Sequence, residues 1–172
     1  MDAQPDTNIV SKIVISIVIS IMQQRLQLFN AGVLLQDYAI STAKNGVGQE
    51  NGSGCTPAGE HTIRAKVGAN SPIGTVFAGR RPTGEVFTPE LAELYPNRDW
   101  ILTRILWLTG REPGVNRCGS VDTLRRYIYI HGCPDAAPVG VAESHGCVRM
   151  RNADVVDLFD RVKVGTVVWI EG

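Results

Sequence analysis

The stretch from Ile9 to Met22 constrains the architecture more than any other segment. It is built largely from Ile and Val, interrupted by Ser11, Lys12, Ser16 and Ser20. At fourteen residues it falls short of the roughly twenty apolar residues that a membrane-spanning helix needs. Asp2 and Asp6 precede it where a secretion signal would carry basic residues, and Gln23, Gln24 and Arg25 follow it where a small-x-small cleavage site would lie. β-branched side chains lose rotamer freedom in helices and suit strands. The stretch therefore reads as a buried strand, against the competing reading of an uncleaved anchor. On that basis no membrane insertion is expected and the location is the cytoplasm, with the periplasm as the alternative.

Strand signals dominate the first two-thirds of the chain. Ile13 to Phe29 reads as extended, and Asn30-Ala31-Gly32 supplies a turn into Val33–Thr42, which predicts a hairpin. The segment 44–59 holds Gly46, Gly48, Gly52, Gly54 and Gly59 and reads as a long loop, a feature often tied to function. Short strands are expected near His61–Val67 and Thr75–Arg80. Thr88 followed by Pro89 predicts a helix start, running to about Leu94. Trp100–Thr109 reads as a buried strand, 110–122 as a loop, and Tyr127–Ile130 as a strand ending at His131. Asn152 is placed to cap a helix through about Val162, and Thr166–Ile170 closes the chain as a strand. The expectation is one mostly-β domain over residues 1–172, with its core about 11–170 and one or two short helices. A chain of 172 residues suits one core better than two.

Seventeen basic side chains balance seventeen acidic ones. A phosphate-binding surface usually shows a basic excess, so nucleic acid is not the expected partner, although Arg125–Arg126 and Arg149/Arg151 form local basic clusters. Cys55, Cys118, Cys133 and Cys147 are expected as free thiols in a chain of this size without an export signal.

The C-terminal third carries two His-Gly-Cys triplets fourteen residues apart, His131-Gly132-Cys133 and His145-Gly146-Cys147. A thiol becomes a useful nucleophile when a base or positive field favours the thiolate. Neighbouring glycines let the backbone approach a substrate and turn N–H groups toward a developing oxyanion. From spacing alone three readings stand: Cys/His nucleophilic catalysis, a Cys₂His₂ zinc site, and two tight turns with incidental His and Cys. One residue between ligands is unusual for structural zinc.

The segment YIYIHGCPDAAPVGVAESHGCVRM resembles the active-site signature of the L,D-transpeptidase (YkuD-type) family. That signature is a histidine, a gap of a dozen or more residues, then Ser/Thr-His-Gly-Cys and commonly Arg or Asn two places on. Twelve residues separate His131 from Ser144. NGSGCTPAGEHTI resembles the family's Thr-Pro-x-Gly segment, here Thr56-Pro57-Ala58-Gly59, and NADVVDLFDRVKVGTVVWI resembles its closing helix and strand.

The resemblance implies a twisted β-sandwich or barrel-like sheet with Cys and His on loops at one edge. It implies Cys147 as nucleophile and His131 as general base, its ring oriented by backbone at Gly132. His145 and Ser144 fall on positions that shape the site, Gly146 and Cys147 on the oxyanion amides, and Arg149 near the substrate carboxylate. Ser144, Arg149 and Thr56 are the expected substrate-binding residues. No metal or cofactor is implied. The implied substrate is a peptidoglycan stem tetrapeptide or muropeptide, and carbapenem-type inhibitors are expected to acylate the cysteine. The implied reactions are L,D-carboxypeptidase removal of the terminal D-Ala in muropeptide recycling or, as the alternative, periplasmic formation of 3-3 cross-links. Cys133 stands where many members have Thr or Ser. It is expected as a small, half-buried substitute that oxidation could join to Cys147. Cys55 and Cys118 match no catalytic position, and His61 is expected to be structural.

Overall fold

The computed structural model describes residues 14–172. The expectations for residues 9–13, and for Asp2 and Asp6 ahead of them, lie outside the described residues. The elements are β1 (Ile15–Ser20), β2 (Arg25–Asn30), β3 (Val33–Ser41), β4 (Gly59–Val67), β5 (Thr75–Ala78), β6 (Arg81–Val86), α1 (Pro89–Leu94), β7 (Ile101–Gly110), β8 (Tyr129–Cys133), β9 (Val148–Arg151), α2 (Asn152–Arg161) and β10 (Val167–Glu171). A short 3₁₀ turn spans Gly119–Val121. The strands form one sheet in the order β4-β10-β1-β2-β3-β9-β8-β7-β5-β6, and β4 also pairs with β7. That last pairing closes eight strands into a barrel and leaves β5–β6 as a hairpin attached to β7, which is the barrel-like β architecture expected.

The Ile/Val run enters the sheet as β1, paired parallel with β10 and antiparallel with β2. Ile17 and Ile19 are fully buried and join Leu26, Leu28, Ile40 and Ile130 in the main core, which also takes up Val155, Leu158 and Phe159 of α2. The extended reading of Ile13–Phe29 is corrected to two strands. Gln24 adopts φ 54° in the intervening turn, and its side-chain amide donates to Ile21 O and Thr42 Oγ1, both at 2.6 Å. The predicted hairpin at Asn30–Gly32 is present as β2–β3. So is the helix start, where Thr88 Oγ1 accepts from the Leu91 N–H at 3.2 Å.

Two strands were not expected. β6 contains Pro82 and Gly84 and lies at the end of the strand order, where a missing N–H breaks no ladder. β9 is only Val148–Arg151 and pairs parallel to β8. The expected cap at Asn152 is also corrected. Arg151 occupies the cap position without a side-chain capping hydrogen bond, and the Asn152 amide instead donates to Cys133 O at 3.0 Å.

Candidate active site

The parallel β8–β9 pair brings the two His-Gly-Cys triplets together. Its register places Ile130 opposite Val148 and His131 opposite Arg149, so Cys147 enters β9 beside Tyr129. The Tyr129 N–H donates to Cys147 Sγ at 3.3 Å, and the thiol donates to Tyr127 O at 3.4 Å. His131 lies two residues along β8 from Tyr129, hence on the same face of the strand. Its Nδ1 is 2.7 Å from Gly132 O. A carbonyl can only accept, so Nδ1 carries the proton and Nε2 holds the lone pair. Nε2 is buried and has no partner among the described residues.

Gly132 is where the chain has no room for a side chain. A Cβ there would lie 2.6 Å from Asn152 Oδ1 and 2.7 Å from Leu102 O. Thr103 Oγ1 donates to the same Asn152 oxygen, so β7, β8 and α2 lock together directly behind His131.

Burial pushes the Cys147 thiol up to about 12, opposed mainly by the Tyr129 N–H. Burial likewise pushes His131 below the ordinary imidazole range, against the Gly132 hydrogen bond. The resting pair is therefore a neutral thiol and a neutral imidazole. Such a pair can react if the proton leaves sulfur as the bond to carbon forms.

The Ser-His-Gly-Cys loop is tethered from two sides. Ser144 pairs with the end of β3, its N–H donating to Thr42 O and its carbonyl accepting from Lys44 N, each at 2.9 Å. Ser144 Oγ accepts from the Gly146 N–H at 3.3 Å and donates to Cys147 O at 2.5 Å. Gly146 has φ 135°, a conformation that side-chain-bearing residues rarely adopt. Of the two amides expected to face an oxyanion, the Gly146 N–H is engaged by Ser144 Oγ, and the Cys147 N–H has no acceptor among the described residues.

Thr56 and Ser144, expected as substrate contacts, both lie within the loop's own hydrogen-bond network. Thr56 is fully buried, and its hydroxyl accepts from Ala43 N and donates to Gly146 O, both at 2.9 Å. Ser144 is 1% exposed. Both hydroxyls are consumed in holding the loop. Arg149 is half-buried and His145 exposed. Cys133 is fully rather than half-buried, and its thiol donates to Met150 O at 3.2 Å. All four cysteines are free. His61 is buried between Gly59 O and Thr123 Oγ1, each at 3.0 Å. The described residues hold no cluster of three or more metal-ligating side chains.

Sequence reasoning missed three contributors. Asp99 lies 2.9 Å from the Arg149 guanidinium and 3.7 Å from His145 Nδ1. Arg126, noted only as part of a basic pair, clamps the long loop through Gly48 O, Gln49 O and Cys55 O at 3.1, 2.9 and 2.7 Å. Arg80 bonds Tyr129 Oη at 2.9 Å and lies over the Trp107 and Tyr127 rings, forming a wall beside Cys147. No local motif points to them, since each acts across a long sequence separation.

Residues 15–170 match the L,D-transpeptidase catalytic domain, YkuD. A probable L,D-transpeptidase of Escherichia coli K12, YbiS, is 49% identical over 41 residues, which cover 24% of this chain and 13% of that protein. L,D-transpeptidase 3 of Mycobacterium tuberculosis, solved with a faropenem-derived adduct, aligns with TM-score 0.58 and 18% identity over 93% of this chain and 61% of that one. LdtMt1 in complex with imipenem aligns with TM-score 0.55 and 16% identity over 92% of this chain and 59% of that one. The chain thus spans a small part of the curated relative and about three-fifths of these structures. With the match extending over nearly its whole length, and with the signature residues gathered at one edge of the barrel, the chain belongs to the L,D-transpeptidase catalytic-domain (YkuD) family of cysteine enzymes.

Proposed function

We propose that this chain catalyses acyl transfer on peptidoglycan stem peptides and releases the terminal D-Ala of tetrapeptides as an L,D-carboxypeptidase. The observation that carries the reading is the buried His131, with Nδ1–H fixed on Gly132 O and Nε2 left as a base on the strand beside Cys147. Cys147 Sγ attacks the carbonyl at the L-centre of the diamino acid while its proton passes to His131 Nε2. The Cys147 N–H receives the oxyanion. The carbon–nitrogen bond then breaks, His131 returns the proton to the departing D-Ala amine, and a thioester remains. Water attacks the thioester with His131 as base, giving the tripeptide and restoring the thiol. Arg149 binds the free carboxylate of the terminal D-Ala, and a charge-assisted contact of this kind is worth about 1.5 to 3 kcal/mol.

Water is the acceptor in this reading because a half-exposed thioester meets it without a second binding groove, whereas an amine acceptor must be positioned. In this reading the reaction belongs to muropeptide recycling in the cytoplasm. The apolar run that could have served as an anchor is, over Ile15–Ser20, a strand inside the sheet. The second reading, 3-3 cross-linking in the periplasm, is favoured by the names of the relatives, which are L,D-transpeptidases.

Incubation with disaccharide tetrapeptide, followed by mass spectrometry, separates the two. Tripeptide with free D-Ala, from protein recovered in the cytoplasmic fraction, is expected. Dimeric muropeptides as the main product of a periplasmic protein would replace the first reading with the second.

A further inference from the structure

Asp99 sits just before β7 and reaches across to the Ser-His-Gly-Cys loop. Its Oδ1 accepts from Arg149 Nη2 at 2.9 Å, and its Oδ2 lies 3.7 Å from His145 Nδ1. The adjacent Arg98 does not compete for it, because that guanidinium is bidentate on Glu85 at 3.2 and 2.7 Å. Arg149, for its part, does not depend on Asp99 for its place. It lies in β9 opposite His131, and its Nη1 donates to Glu143 O at 3.2 Å. A cavity of about 110 Å³ opens beside the pair, lined also by Trp100, Cys133, Pro134 and Ala137.

We propose that Asp99 is a specificity-determining residue that competes with the substrate's terminal carboxylate for Arg149. The proposal rests on the reading above that Arg149 takes that carboxylate. In the free protein Asp99 fills the position on Nη2 that an incoming carboxylate needs. The apparent affinity for such a ligand then falls by the fraction of time the guanidinium is open. A ligand ending in a neutral amide is not subject to this competition. After acyl transfer the departing amino acid still carries its carboxylate, and Asp99 reclaims Arg149 and favours release.

The test uses full-length protein carrying Cys147→Ala, so that no turnover intervenes, with N-acetyl-D-alanine and its amide as probes. Binding is followed by NMR in this background and with Asp99→Asn added. Asp99→Asn is expected to tighten N-acetyl-D-alanine about fivefold, the size of an exposed ion pair, and to leave the amide within error. Equal or weaker binding of the carboxylate probe would show that Asp99 merely braces Arg149 and would overturn the proposal. Adding Arg149→Ala isolates the underlying reading. If it leaves carboxylate binding intact, Arg149 is not the acceptor site, and the proposal falls with that reading. Should Asp99→Asn lower the thermal midpoint, Asp99→Ser serves as the second variant under the same criteria.

Discussion

His131 spends its Nδ1–H on the carbonyl of Gly132, 2.7 Å away, and this bond decides which nitrogen can act as base. The tautomer follows from a backbone atom of the next residue, which is itself pinned where a Cβ would lie 2.6 Å from Asn152 Oδ1. His131→Ala is expected to lower kcat by about 10² to 10⁴, the usual contribution of a positioned base. His131 must be neutral to accept the thiol proton, and burial lowers its folded pKa from the ordinary 6.5. The acid limb of kcat/KM is therefore expected below pH 6.5. A limb at or above 6.5, or a His131→Ala variant of near-native rate, contradicts the assignment.

The same burial makes the fold acid-sensitive. His61, enclosed between Gly59 O and Thr123 Oγ1, is pushed by desolvation from 6.5 down to about 4. The unfolded chain then binds protons more readily than the folded one, so stability is fully present above pH 6.5 and declines as pH falls toward about 4. His61 accounts for about 3 kcal/mol of that loss, and His131 adds to it in the same direction. Urea midpoints measured between pH 7 and pH 4 test this, and His61→Gln should flatten the slope.

Thr56 tests whether the Thr-Pro-x-Gly segment is a loop anchor. Thr56→Val orphans the Ala43 N–H and the Gly146 C=O, both hydrogen-bonded to its hydroxyl, at about 1 to 2 kcal/mol per buried group. The expected result is lower stability together with loss of activity, because Gly146 immediately precedes Cys147. Thr56→Ser retains the hydroxyl and should preserve both. A Thr56→Val variant with native stability and a raised KM would instead identify Thr56 as a substrate contact.

What could be read from the sequence was local. The Thr88-Pro89 helix start, the Asn30–Gly32 turn and the two His-Gly-Cys triplets each declare themselves within a few residues. The turn after β1 does not, because it has no Gly or Pro. Gln24 holds it through a side chain that reaches Thr42, just past the end of β3. β6 was hidden by Pro82 and Gly84, which only an edge position tolerates. Asn152 looked like a cap and is instead a tether between Cys133 and Thr103. The Asp99–Arg149 pair spans fifty residues, and no local pattern announces it. The hydrogen bonds of the Thr56 and Ser144 hydroxyls, to Ala43, Gly146 and Cys147, depend on how two distant loops meet, which no local pattern announces.

The proposed reaction requires Cys147, and not Cys133, as the nucleophile. The two thiols differ in setting: Cys147 is half-buried beside Tyr127 and Tyr129, whereas Cys133 is 1% exposed with its thiol on Met150 O. The most direct measurement is to incubate the protein with a carbapenem and map the added mass by peptide mass spectrometry. One adduct is expected, on the peptide containing Cys147, retained in Cys133→Ala and abolished in Cys147→Ala. An adduct on Cys133, or an unmodified Cys147 in folded protein, would contradict it.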